Sequence, residues 1–157
     1  MVRFKNRYAL CEVIVPGQEN SSINFTKSKL YRAIKQSIIS NHGDYGIGAL
    51  DQSLRVIYIN TGTRIVLIRA ERKYFHMVTS AIIFIRKIGL HDVIFKTLHV
   101  GGSIRQCFKF LIKYHQKSFP SMYQSCQTED DKIKVLESII DACDTSTSVK
   151  ALMDKIS

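Results

Sequence analysis

Apolar and polar positions along this chain follow two rhythms, one of short β-branched runs and one of helical spacing. The run 8-YALCEVIV-15 is apolar and stops at Pro16-Gly17, the pattern of a buried strand and its turn. After the polar loop 17-GQENSSIN-24, Thr26 is placed to cap a helix in which Leu30, Tyr31, Ile34 and Ile38 share one face. That helix is predicted to end near His42-Gly43, with 44-DYGIGAL-50 starting a strand. The runs 53-SLRVIYIN-60 and 64-RIVLIRAE-71 flank Thr61-Gly62-Thr63 and predict a hairpin.

Residues 72 to 88 are read as a second helix, apolar almost all round and stopped by Gly89 at the C-terminal cap position. Part of such a helix is buried against another chain or under other segments of its own, and Ile82, Ile83 and Phe84 are the candidate partner contacts. A strand, 93-VIFKTLHV-100, then meets Gly101-Gly102 and a third helix. The order is βαββαβα. It predicts an α+β, ferredoxin-like (RRM-like) βαββαβ core with an antiparallel sheet covered by helices on one face, plus additional C-terminal helices. Residues 1–119 form the expected α/β domain. Residues 120–157, with amphipathic patterns over 129–143 and 148–156, read as a helical appendage of the same domain.

Charge sharpens this picture. The chain has 157 residues with 23 Lys and Arg against 13 Asp and Glu, a net +10, and its sequence pI is near 9.6. Residues 1–127 hold 19 basic and 6 acidic side chains, and residues 128–157 hold 4 and 7, so the basic excess lies in the first four-fifths. An excess of this size favours a polyanionic partner, with nucleic acid ahead of an anionic membrane surface. Four cysteines occur singly, without a CxxC pair or histidines at metal-ligand spacing, so no zinc site or disulfide framework is expected. The opening MVRFKNRY lacks the apolar core of a signal peptide, and 81-AIIFI-85 is too short to span a bilayer. An intracellular chain with no membrane span is expected.

Two basic constellations stand out. In 98-LHVGGSIRQCFKFLIKYH-115, Ser103 is placed to cap a helix whose first backbone N–H groups, around Gly102 to Ile104, would carry the positive end of the helix dipole. Gly101 and Gly102 allow close approach, and Arg105, Lys109 and Lys113 continue the charge along one stripe opposite Ile104, Cys107, Phe108 and Leu111. A solvated helix face, a phosphate cradle of an enzyme and an RNA backbone clamp all fit that stripe. The missing GxxxxGK[ST] pattern argues against nucleotide hydrolysis by this loop. At the N-terminus, Arg3, Lys5 and Arg7 alternate with Phe4 and Tyr8, which on an extended chain places three cations on one side, either as a phosphate-tracking arm or as a soluble strand edge. No RNP1-like run marks the strands, so phosphate contacts and shape are expected to dominate over base stacking. Acidic and histidine side chains are scattered, and no catalytic constellation is expected.

The segments MVRFKNRYALCEV, SLRVIYINTGTRIVLIRAER and TLHVGGSIRQCFKFLIKYHQK resemble the Pop five family of subunits shared by eukaryotic ribonuclease P and ribonuclease MRP. The likeness runs in order through about residues 1–117; its ends match in letters, its middle in pattern, and residues 128–157 depart from it. It implies the ferredoxin-like fold and a non-catalytic protein subunit of a ribonucleoprotein whose RNA, with magnesium, does the chemistry; no cofactor is expected on this chain. It also implies removal of the 5′ leader from precursor tRNA, processing of precursor rRNA, and a nuclear and nucleolar location. The implied partners are the catalytic RNA, precursor tRNA and other Pop/Rpp subunits, one sharing this fold and one like a TIM barrel. Arg3, Lys5, Arg7, Gly101, Gly102, Ser103 and Arg105 match positions where the family approaches RNA. The rival classes are an assembly scaffold acting through protein contacts and a stand-alone phosphate-processing enzyme.

Overall fold

A computed structural model describes residues 5–17 and 26–125, with side chains as far as residue 118, and helical positions 130, 132, 133, 136, 137 and 140. Arg3 and the pattern over 148–156 lie outside the described residues.

Strand β1 (Asn6–Ile14) is followed by helix α1 (Lys27–Leu50), strands β2 (Arg55–Asn60) and β3 (Ile65–Glu71), and a 3-10 turn at Arg72–Tyr74. Helix α2 (Phe75–Ile83), the short strands β4 (Lys87–Ile88) and β5 (His91–Asp92), strand β6 (Ile94–Gly101) and helix α3 (Ile104–Ser125) complete the order. The four long strands form one antiparallel sheet, β2-β3-β1-β6, as expected for a ferredoxin-like core. Its two central strands, β1 and β3, read as continuous apolar runs because both of their faces are buried. Ala9, Cys11, Val13, Val66 and Ile68 pack under α1 and α2, while Leu10, Ile65 and Leu67 pack under Ile104, Cys107, Phe108 and Leu111 of α3.

Helices therefore cover both faces of the sheet, not one. The face on which an RRM stacks bases is occupied here: Tyr58 meets Phe108 edge-on at 5.5 Å between centroids, and His99 stacks on Phe110 at 4.7 Å.

Two element boundaries differ from the sequence expectation, both at glycines. The expected strand over 44–50 is helical. Gly43, at φ 62° and ψ −160°, kinks α1 rather than ending it, and the chain re-enters the helix to bury Gly46 and Leu50. That φ/ψ region is open almost only to glycine. The expected helix over 72–88 is shorter, because α2 stops at Ile83 and a β4–β5 hairpin follows. Gly89, at φ 63°, lies in the turn of that hairpin and not at a helix cap. The connection after α2 returns Ile85 to the core and the hairpin returns Ile88, which is why an apolar run longer than the helix needs no helical arc to bury it. At the other end, α3 runs across residue 120 to Ser125, so the boundary drawn there falls within one helix.

Candidate nucleic-acid interface

The two basic constellations of the sequence meet at one end of the sheet. Antiparallel pairing sets Tyr8 opposite Gly101, which places Arg7 beside Gly102. A Cβ on Gly102 would lie 3.1 Å from Arg7 Nη1 and 3.6 Å from Gln106 Oε1, so the guanidinium sits against the glycine at the start of α3. Gly101 is crowded instead by the core: a Cβ there would lie 2.8 Å from Cys107 Sγ. Neither glycine has a positive φ; close approach selects Gly101, while at Gly102 the neighbour is the movable end of the Arg7 side chain.

Ser103 begins α3 as the sequence predicts. Its Oγ accepts from the Gln106 N–H at 3.3 Å, and Gln106 Oε1 accepts in return from the Gly102 N–H at 3.2 Å. This reciprocal cap is of the capping-box kind, and it engages Gly102, one of the backbone donors expected to face a phosphate. The first turn of α3 carries no acidic residue to offset the positive end of the helix. Beyond it, Arg105, Lys109 and Lys113 are exposed, and Ile104, Cys107, Phe108 and Leu111 are buried against the sheet. The stripe spans about 12 Å of helix at 1.5 Å per residue.

Lys5 is exposed, and its carbonyl accepts from the Arg72 N–H at 2.7 Å, extending the β1–β3 ladder by one bond. Exposed Arg72 and Lys73 thereby adjoin the basic arm, with Lys73 Nζ 5.0 Å from the Tyr74 ring centroid. The expected helix over 72–88 would have put these two cations in its first turn. Their position next to Lys5 follows from strand pairing between residues far apart in the chain.

The candidate partner contacts divide. Ile82 is fully buried in the core under α1, so it is not available to another chain, whereas Ile83 is 65% and Phe84 59% exposed. Ile82 and Ile83 are the last two residues of α2, and Phe84 is its C-cap. Leu90, 99% exposed at the hairpin tip, and Ile94 add apolar surface in the same stretch of chain. Arg86 O accepts from the Val93 N–H, and Ile94 pairs with Ile14, so this surface lies at the opposite end of β1 from Arg7.

Among the described residues no group of three His, Cys, Asp or Glu is placed to hold a metal ion, and no helix is long and apolar enough to cross a membrane. Burial pushes the Cys11 thiol up to about 12 and the Cys107 thiol to about 11, leaving both protonated and poorly nucleophilic at neutral pH. Tyr114 donates to Glu12 Oε2 at 3.1 Å, and Lys96 Nζ lies 3.8 Å from the same oxygen.

His115, next along α3, is 2% exposed, and among the described residues neither ring nitrogen has a hydrogen-bond partner. Burial lowers its pKa, opposed by the Glu12 charge. The unfolded chain therefore takes up the proton first. Stability is expected to be intact above about 6.5, the ordinary histidine value, and to fall as pH drops below it, by at most about 1.4 kcal/mol per pH unit from this group. Urea unfolding at pH 7.5 and 5.5 should show the loss, and His115→Phe should remove it.

A family model described as the Rpp14/Pop5 family matches residues 7–112, from β1 into the middle of α3. The chain belongs to the Rpp14/Pop5 family. Among its relatives in that family, the human protein named ribonuclease P/MRP protein subunit POP5 is 35% identical over 147 residues, covering 91% of this chain and 90% of the relative. The Danio rerio protein of the same name is 37% identical over 147 residues, covering 89% and 86%. A chain of the cryo-EM structure of yeast ribonuclease MRP aligns with a TM-score of 0.54 at 10% identity, over 77% of this chain and 98% of that one, a likeness of fold. The family match takes in Arg7, the two glycines, Ser103, Arg105 and Lys109, and ends just before Lys113.

Proposed function

We propose that this chain is a protein subunit of the ribonuclease P and ribonuclease MRP ribonucleoproteins, and that it binds and stabilises their catalytic RNA. The observation that carries the reading is the seating of Arg7 against Gly102 at the uncompensated start of α3, with the arginine and lysine stripe leading away from it. It stands on a chain whose relatives are named as subunits of both particles. Cations set on rigid strand and helix positions neutralise RNA phosphates and hold the backbone in register without reading sequence. Lys5, Arg7, Gly102, Ser103, Arg105, Lys109 and Lys113 make this surface, Gly101 is buried behind it against Cys107, and Arg3 precedes it in the chain.

Catalysis in this reading belongs to the RNA with its magnesium. The complexes remove the 5′ leader from precursor tRNA and process precursor rRNA in the nucleus and nucleolus. Ile83 and Phe84 meet another protein subunit, at the end of the sheet away from Arg7.

The test is affinity capture of the tagged full chain from native extract, RNA sequencing of the eluate, and a precursor-tRNA cleavage assay with and without nuclease pretreatment. One or two structured RNAs with nuclease-sensitive cleavage are expected. Cleavage that survives nuclease would identify a protein enzyme. Protein subunits without RNA would identify a scaffold.

A further inference from the structure

One register row crosses the whole sheet where α3 begins. Arg55 of β2 lies opposite Arg69 of β3, Arg69 opposite Tyr8 of β1, and Tyr8 opposite Gly101 of β6. Residues two apart on a strand share a face, so Arg69 follows Leu67 onto the side of the sheet that α3 covers. Directly opposed residues share that face too, and like charges in such pairs are destabilising. Asp51, whose carboxylate is held by Lys35 and also feels the Arg55 charge, forms no ion pair with either arginine. Lys35–Asp51, Lys87–Asp92 and Lys96–Glu12 form ion pairs, and neither arginine joins these.

Arg55 is held by its own backbone surroundings, with Nη1 donating to the Asp51 carbonyl at 3.3 Å and the Leu54 carbonyl at 2.8 Å. Among the described residues, the buried Nε–H of Arg69 has no hydrogen-bond partner. A charge opposed by a like charge, with a desolvated donor left unbonded, weakens the fold unless an anion from outside completes it. The guanidinium fork is shaped for phosphate.

We infer that Arg55 and Arg69 form a phosphate-binding shelf for RNA on the sheet, continuing the interface from the start of α3 towards the β2 edge. The inference rests on the RNA-binding reading above. RNA is favoured over an acidic protein because the row ends at Gly101, one residue before Gly102 and the cationic start of α3, although Arg7, next to Tyr8, projects from the other face of the strand. Neither arginine was singled out by sequence, since the two are 14 positions apart and only strand pairing opposes them.

The test uses the full chain carrying Arg69→Met, which keeps the length and packing of the stem while removing the charge and the orphaned donor. The probe is an in vitro transcript of the RNA that co-purifies with the native chain, titrated at several salt concentrations. The melting temperature should be equal or higher, RNA affinity roughly tenfold lower, and the log-log salt slope flatter by about 0.7–0.9. Arg55→Ala, at an exposed position, should give the same change in slope and serves if Arg69→Met does not fold. A wild-type affinity and slope in the variant, with the native chain binding normally, would overturn the shelf alone. A lower melting temperature with weaker binding would assign Arg69 to the fold and overturn it as well. A native chain that does not bind the transcript would overturn the reading of function and the shelf with it.

Discussion

The full chain with Arg7, Arg105 and Lys109 all replaced by alanine is expected to bind the catalytic RNA roughly 100-fold more weakly than the native chain at physiological salt. Charge-assisted hydrogen bonds contribute about 1.5–3 kcal/mol each, and three neighbouring contacts do not add fully. The loss should be uniform across RNA sequences, because phosphates carry no base information. The log-log salt dependence should flatten by about 2 to 3, at roughly 0.7–0.9 per contact. Stability should change little: Arg105 and Lys109 are exposed, and Arg7 lies against a glycine. Filter binding across salt concentrations and a urea melt separate the two effects. An unchanged slope would remove these side chains from the interface.

Replacing Leu111 by alanine acts from the other side of the same helix. Leu111 is fully buried between α3 and the sheet, beside Leu10, Ile65 and Leu67. Truncating a leucine in such a site costs about 2–5 kcal/mol, a large part of the 5–15 kcal/mol typical of a domain. The expected result is a urea midpoint lowered in proportion, with Leu111→Met costing under about 1.5 kcal/mol. RNA binding should fall only with the folded fraction, since no cation is removed. A specific loss of affinity in fully folded Leu111→Ala would mean that α3 shifts on the sheet and carries its stripe out of place.

Much of the fold was legible because strands buried on both faces advertise themselves. The apolar runs at 8–15 and 64–71 are β1 and β3, the two central strands, and α3 shows its buried and basic stripes at helical spacing. What misled were glycines and an apolar excess. Gly43 looks like a helix stop, yet the positive φ is absorbed as a kink, and the burial of Gly46 and Leu50 sustains the helix beyond it. The run through Ile85 and Ile88 suggests a long helix, but the connection after α2 and the hairpin that follows bury the same side chains. At the candidate site, residue types were readable and their convergence was not. Arg7 meets Gly102, Lys5 meets Arg72, and Arg55 opposes Arg69 only because the strands pair in one register. Ile82 and Ile83 are neighbours in sequence, and only the packing of α2 on α1 separates a core residue from an exposed one.

The covering of the second sheet face by α3 also sets an order of events during synthesis. Every strand of the sheet leaves the ribosome before the helix that shields Leu10, Ile65 and Leu67. A nascent chain that has reached Gly101 can pair its strands but still presents one bare apolar face to the cytosol, the kind of surface that recruits chaperones or aggregates. The last residues to emerge before that face closes carry Arg105, Lys109 and Lys113, so the cationic stripe becomes rigid in the same step that makes the protein safe from its own hydrophobic surface.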